Sequence, residues 1–359
     1  MLGAIISAVT CLLSFVLIWA LRYVPAASVF VDSPAKPQAM HSRAVPRYGG
    51  FGIVGAIALV VAATLSLGSG PLPSWCLPLG VALGLVGAVS IADDIRHVSA
   101  LLRLCVHTFA ATVVVWAVWP AAVGLGAGAL LILAIGCVLG IAWSINLFNF
   151  MDGVNGMVAG SSVVALLGLA IVGTLASAGA APNGVIVLCF AAAGAAAGFL
   201  PHNLGGRVFM GDLGSTGLGL IAASVALIGA KEVLWQWWVP FVVFAPMIVD
   251  TTWTLLRRGL KGDPVWESHR EHIYQRLVRH RNWSHLQVTT LYAGLTFVSV
   301  VAVVASRQVA GAEVGSVPVL FVAWVLKYST LIVLAEAYLR NACNAAQSQT
   351  KNKRTRARK

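Results

Sequence analysis

The sequence predicts an all-α protein that crosses a membrane about eleven times and carries its chemistry at the cytoplasmic face. Three observations predict it. Hydrophobic residues make up 59% of the chain and charged residues only 10%, with a mean hydropathy of +0.87, a balance no soluble domain has. Apolar runs of about 18 or more residues recur along the chain, and each is long enough to span the hydrocarbon core as a helix. The polar and acidic clusters fall mainly at the ends of those runs, where one face of the bundle would gather them.

The expected spans are 2–21, 50–68, 75–92, 104–120, 123–144, 157–178, 184–201, 214–230, 235–256, 288–306 and 317–336. The first has no basic segment before it and no small-residue cleavage site after it, and is read as a retained helix rather than a secretion signal. Trp119-Pro120 separates the fourth from the fifth. Residues 1–340 read as one integral membrane domain and 341–359, which end K-N-K-R-T-R-A-R-K, as a basic cytoplasmic tail beside anionic lipid.

Orientation follows from the basic residues. Twenty-one of the 24 lysines and arginines fall in segments that lie on one side if the C-terminus is cytoplasmic; only Lys231 and Arg307 fall opposite, and Lys327 lies within a span. The N-terminus is therefore expected outside and the C-terminus inside. The net charge of +12 is first a topology signal, and its division among loops excludes nucleic-acid binding as the reading. The six cysteines are scattered without ligand spacing and read as small packing residues.

With this topology Asp93 and Asp94 close the third span, Asp152 follows the fifth, Asp212 follows the seventh and Asp250 lies near the inner end of the ninth, all at the cytoplasmic side. Ionisable groups at membrane depth are costly, so their convergence marks a site. In N-L-F-N-F-M-D-G-V-N-G-M, from Asn146, the residues Asn146, Asn149, Asp152 and Asn155 are three apart and would form one polar stripe on a helix. The milder reading is interhelical amide hydrogen bonding. Asp93-Asp94 needs a cation, a basic partner or water, and Arg103 and His107 follow at the start of the next span. In G-G-R-V-F-M-G-D-L-G-S, from Gly205, glycines leave backbone N–H groups open toward an anion, and Asp212 can hold a divalent cation that bridges phosphate oxygens. The last inner loop, H-R-E-H-I-Y-Q-R-L from His269, sets His269, His272 and Arg276 among arginines, which suits a pyrophosphate better than zinc.

Taken together, these motifs resemble those of the polyprenyl-phosphate N-acetylhexosamine-1-phosphate transferases, from about Pro46 to Leu277. The resemblance implies a UDP-N-acetylhexosamine and undecaprenyl phosphate as substrates, magnesium (or manganese in its place) as cofactor, and a bacterial plasma membrane as location. A homodimer is left open. It places Arg43 and Arg47, in R-A-V-P-R-Y-G-G, near the phosphates and lipid. Asp93 and Asp94 match the acidic pair, one of which is proposed to take a proton from the lipid phosphate; a metal- or substrate-positioning role for the pair stays open. Asn149 and Asp152 match pocket residues, Asp212 matches the magnesium ligand, with Asn149 as a second donor, and Phe209 matches an aromatic near the uracil. Asn203 falls in the pattern preceding that motif, and Arg103 matches the basic residue after the acidic pair.

Three departures stand out. Asn155 replaces an aspartate of the muramoyl-pentapeptide enzymes, His107 replaces a glutamine of many relatives, and the last loop lacks consecutive histidines. The pattern is more similar to transferases that begin O-antigen chains. The implied reaction is attack of undecaprenyl phosphate on the β-phosphorus of the UDP-sugar with loss of UMP. The rival class is a transporter or flippase of an anionic lipid or sugar. Its polar groups would sit near the bilayer midplane on repeated, broken helices, and the chain has no such repeat.

Overall fold

A computed structural model describes residues 1–32, 43–67, 72–119, 126–177, 183–264, 269–309, 322 and 324–339. The expected basic tail 341–359 and Lys36 lie outside the described residues. The chain is helical apart from one two-residue antiparallel ladder, β1 (Val31–Asp32) with β2 (Val45–Pro46), in which Asp32 pairs with Val45.

Nine helices among the described residues are long and apolar enough to cross a membrane. These are α1 (Leu2–Leu21), α2 (Gly49–Leu67), α3 (Cys76–Arg96), α4 (Ala100–Val118), α5 (Ala127–Met151), α6 (Met157–Ala176), α7 (Gly184–Asn203), α8 (Gly211–Lys231) and, with its span over His285–Ser306, α12 (His285–Val309). Local chemistry sets several boundaries. Ser99 caps α4 by accepting from the Leu102 N–H at 3.3 Å, and Asn183 caps α7 by accepting from the Val185 N–H at 2.7 Å.

Two expected spans differ in form. The run 235–256 is divided into α9 (Val239–Val243) and α10 (Ala245–Lys261), with the break at Phe244. Pro246, in the first turn of α10, has no N–H to continue the earlier helix and its ring favours a fresh start there. Of the run 317–336, residues 324–336 are helical, in a helix that continues to 339 (α13, 324–339), and 317–321 and 323 lie outside the described residues. The amphipathic α11 (Ile273–Arg281) lies between α10 and α12.

α6, α7 and α8 form the buried centre. In lipid, apolar burial gives helices little reason to associate, so close packing and small residues must do it. Gly194 and Gly198 on α7 show how: a Cβ on either would stand 2.2 Å from the backbone oxygen of Ser7 or Cys11, so α1 can lie against α7 only because both are glycines. α8 packs on α2, α3 and α5. At one end of this cluster α2 and α8 begin while α3 and α5 finish, which brings the four polar motifs toward one place.

Candidate active site

The site is framed by backbone. The N–H groups of Gly49 and Gly50 donate to the carbonyls of Phe209 and Met210 at 3.0 and 2.8 Å, and the Phe209 N–H donates to the Pro46 carbonyl at 2.7 Å. The expected R-A-V-P-R-Y-G-G segment is thus stitched to the F-M-G-D segment. Gly211 has φ +70°, and a Cβ on it would stand 2.4 Å from the Arg47 carbonyl oxygen and 3.2 Å from Asp94 Oδ2. Only glycine lets α8 start this close to the acidic pair, with Asp212 in its first turn. Arg43 is exposed at the entrance of the same segment, and Phe209 is half-buried.

The two adjacent aspartates have different partners. Asp93 Oδ2 meets Arg103 Nη1 at 2.7 Å while its Oδ1 accepts from the Val98 N–H at 2.7 Å. Asp94, almost fully buried, meets Arg47 Nη1 at 2.8 Å. Arg103 Nη1 also lies 3.9 Å from Asp212 Oδ2, and Arg47 Nη1 lies 4.0 Å from Asp32 Oδ1. Asp152 stands within electrostatic reach of Asp212, Asp94 and Asp32. Burial first, and then these three carboxylates, raise its carboxyl well above the ordinary range. Five carboxylates therefore share one neighbourhood with two guanidiniums, Arg47 and Arg103. Asp32 was not an expected site residue. Its loop carries no periodicity, and it is the ladder with Val45 that puts it beside Arg47.

The asparagine stripe is partly helical. Asn146 and Asn149 lie on the last turns of α5, and Asp152 is its C-cap, with its N–H donating to the Asn149 carbonyl at 3.3 Å. The stripe does not continue as helix through Asn155: the chain turns after Asp152, and Gly156 takes φ +81° before α6. Asn146 Nδ2 donates to the Ala142 carbonyl at 2.7 Å, and His107 is buried beside it. The backbone of Asn155 is held by α12: its N–H donates to His285 Nδ1 at 3.3 Å, and its carbonyl accepts from Thr289 Oγ1 at 2.7 Å. Asn203 is buried, accepts from the Gly156 N–H, and donates to the Val208 carbonyl at 2.9 Å. It ties the turn after Asp152 to the segment before Asp212.

The histidine loop reaches the same turn. Tyr274 Oη donates to the Phe150 carbonyl at 2.9 Å, and a Cβ on Gly153 would stand 2.4 Å from that oxygen. His272, buried, is the N-cap of α11 and stacks between Phe150 and Tyr274, with ring centroids 6.3 and 5.6 Å away. His269 packs on His272 at 4.8 Å. Burial, then the neighbouring His272 and Arg258, lowers the His269 imidazole to about 4. Asp250 caps α11 from within, accepting from the N–H groups of Ile273 and Tyr274 at 2.8 and 3.1 Å, with His272 Nδ1 3.5 Å away. Arg276 does not join the histidines as expected. Its Nη1 is engaged by Glu336 of α13 at 2.8 Å, because the helical turn after His272 carries it toward that helix.

This donor set suits a hard divalent cation. Its ligands are oxygens, and its carboxylates outnumber its cations. Among the described residues no three His, Cys, Asp or Glu side chains form a closed metal cluster. Magnesium uses few protein carboxylates and keeps places for water and phosphate, so it fits such an open arrangement.

Comparison with known proteins points to one family. Residues 76–230 match the family described as glycosyl transferase family 4. That stretch runs from α3 to the end of α8. It contains Asp93, Asp94, Arg103, Asp152 and Asp212, but not the first loop or the histidine loop. The chain is 30% identical over 276 residues to the decaprenyl-phosphate N-acetylglucosaminephosphotransferase of Mycobacterium tuberculosis (strain ATCC 25618 / H37Rv), covering 67% of each chain. It is 24% identical over 287 residues, 73% of each chain, to a probable undecaprenyl-phosphate N-acetylglucosaminyl 1-phosphate transferase of Bacillus subtilis (strain 168). A shorter match of 84 residues, 48% identical and covering 23% of this chain and 22% of the other, links it to a phospho-N-acetylmuramoyl-pentapeptide-transferase of Nostoc punctiforme. On this coverage and identity, and with its acidic motifs gathered at one end of the bundle, the chain belongs to the polyprenyl-phosphate N-acetylhexosamine-1-phosphate transferase family.

Proposed function

We propose that the protein transfers an N-acetylhexosamine 1-phosphate, GlcNAc or a related N-acetylated sugar, from its UDP-sugar to undecaprenyl phosphate in a bacterial plasma membrane. The observation that carries this reading is the meeting of Asp93, Asp94, Asp152 and Asp212 with Arg47 and Arg103 at a single end of the helix bundle. A phosphate held in the bilayer and a soluble diphosphate can meet only at such an end. The basic residues of the loops favour the cytoplasmic side for it, with the N-terminus outside.

In this reading an oxygen of the lipid phosphate attacks the β-phosphorus of the UDP-sugar. The new P–O bond forms as the bond to the bridging oxygen breaks, and the electron pair leaves on UMP. A phosphate monoester loses its second proton near pH 6, so the nucleophile is largely deprotonated at neutral pH and little base is needed. Asp93 and Asp94 then act chiefly by fixing Arg103 and Arg47, whose guanidiniums hold the phosphates in line. Asp212, with Asn149 and Asp152 at the end of α5, would hold magnesium, which supplies charge neutralisation to the diphosphate when bound. His269 and His272 border the diphosphate, and Phe209 the uracil. Asn203 and Asn155 act through the turn that they fix.

The test is purified protein in detergent, offered a polyprenyl phosphate and several UDP-sugars one at a time. The expected result is UMP release with a lipid-linked sugar phosphate of matching mass for at least one N-acetylated sugar. Absence of both from folded protein, with every such sugar offered, contradicts the reading.

A further inference from the structure

One carboxylate outside the site gathers more donors than any role so far described for it requires. Glu336 lies on α13, which carries none of the residues assigned to the reaction. It is 6% exposed, and its Oε1 accepts from Arg276 Nη1 at 2.8 Å, Arg257 Nη1 at 2.9 Å and Trp253 Nε1 at 3.2 Å. Arg257 continues the network: its Nη2 donates to the backbone oxygen of Glu271 at 3.0 Å and to Glu271 Oε2 at 3.2 Å. Arg258 donates to the other oxygen of Glu271 and, at 3.0 Å, to the Pro264 carbonyl. One turn and a half after Arg276, Arg281 donates to the Tyr338 carbonyl and lies over its ring, 3.7 Å from the centroid. The segment carrying His269 and His272 is thus held on one side by the Phe150–Gly153 turn and on the other by α13.

We propose that Glu336 is a positioning residue: through Arg276 and Arg257 it fixes α11 and the His269–His272 corner against the Asp152 turn, and so sets the diphosphate end of the UDP-sugar site. This rests on the transferase reading above. It reassigns Arg276 from contact with substrate to contact with Glu336. The chemistry favours a latch. Three donors on one buried oxygen tie α10, through Trp253 and Arg257, and α11, through Arg276, to α13. A misplacement of about 1 Å in a positioning element can cost on the order of a hundredfold in rate.

The experiment is a double-mutant cycle on full-length protein: Glu336→Ala, Arg276→Ala and both together, with UMP release measured against each substrate and folding followed by thermal unfolding. The latch predicts that each single change lowers kcat/KM for the UDP-sugar by about tenfold or more. It predicts that KM for the polyprenyl phosphate stays near wild type, and that the double variant is no worse than the poorer single. Glu336→Asp keeps the charge and should restore much of the loss; it also serves if the alanine variants fold poorly. Lys327→Ala, on the same helix, should behave as wild type. Wild-type kcat/KM in folded Glu336→Ala, losses that multiply in the double variant, or equal rises in both KM values would overturn the latch. A wild-type protein that releases no UMP from any UDP-sugar overturns the transferase reading first, and the two failures are told apart by that control.

Discussion

The fold disfavours the charged form of Asp152. Its strongest influences are burial and three other carboxylates, all of which disfavour the ionised form. A group raised in this way contributes stability below its unfolded value, about 3.9, and loses it as pH rises through the folded value. Asp152→Asn should therefore raise the unfolding temperature in detergent at pH 7 to 8, by about 2 to 4 °C for each kcal/mol recovered, with the gain fading toward pH 4. Turnover should fall at the same time. A variant that is no more stable than wild type at pH 8 would show that the repulsion is relieved by other means. Much of the residue-scale site was legible because acids are rare in apolar runs: Asp93, Asp94, Asp152 and Asp212 stand out by composition alone. Asp32 and Glu336 were not legible. Each depends on a partner brought from far along the chain, Arg47 by a two-residue ladder and Arg276 by a helix with no expected role.

Elements fix where these residues point. α5 runs past the expected 144 to Met151, where Ile145, Leu147, Phe148 and Met151 keep its last turns packed, and the glycines beyond Asp152 stop it. Hydropathy could not mark that end, because it falls before the helix does. The same blindness hid the break at Phe244, where the apolar character continues but Pro246 interrupts the hydrogen bonds. At this scale the docking of α11 is the sensitive joint. A methyl added by Gly153→Ala would stand 2.4 Å from Tyr274 Oη and push the helix away. The expected outcome is a loss of UMP release on the order of a hundredfold, with the bundle still folded. His272→Ala should be comparably damaging, because the ring is stacked between Phe150 and Tyr274, whereas exposed His280→Ala should stay within about twofold of wild type. Similar, mild effects of the two histidine changes in a UMP-release assay would remove the histidine corner from the account.

At the scale of the whole molecule, helix ends are brought together at one end of the bundle. Its buried centre of α6, α7 and α8 is built from small residues, and α1 closes on α7 over Gly194 and Gly198. Gly198→Val would drive a side chain into the Cys11 carbonyl, and should destabilise the bundle by about 1–3 kcal/mol in thermal or denaturant unfolding. The polytopic all-α class was legible from hydropathy, whereas the side of the membrane rests on the loop charges. A periplasm-active reporter fused after Lys359 is expected to be silent, and strong activity there would reverse the orientation. The central claim is that the gathered carboxylates hold a divalent cation through Asp212 for phosphoryl transfer. It is tested most directly by UMP release against magnesium concentration for wild type and Asp212→Asn, each shown to be folded. The account predicts saturable magnesium dependence in wild type and almost no turnover at any magnesium concentration in Asp212→Asn. Wild-type turnover in the folded variant, with the same magnesium dependence, would contradict it.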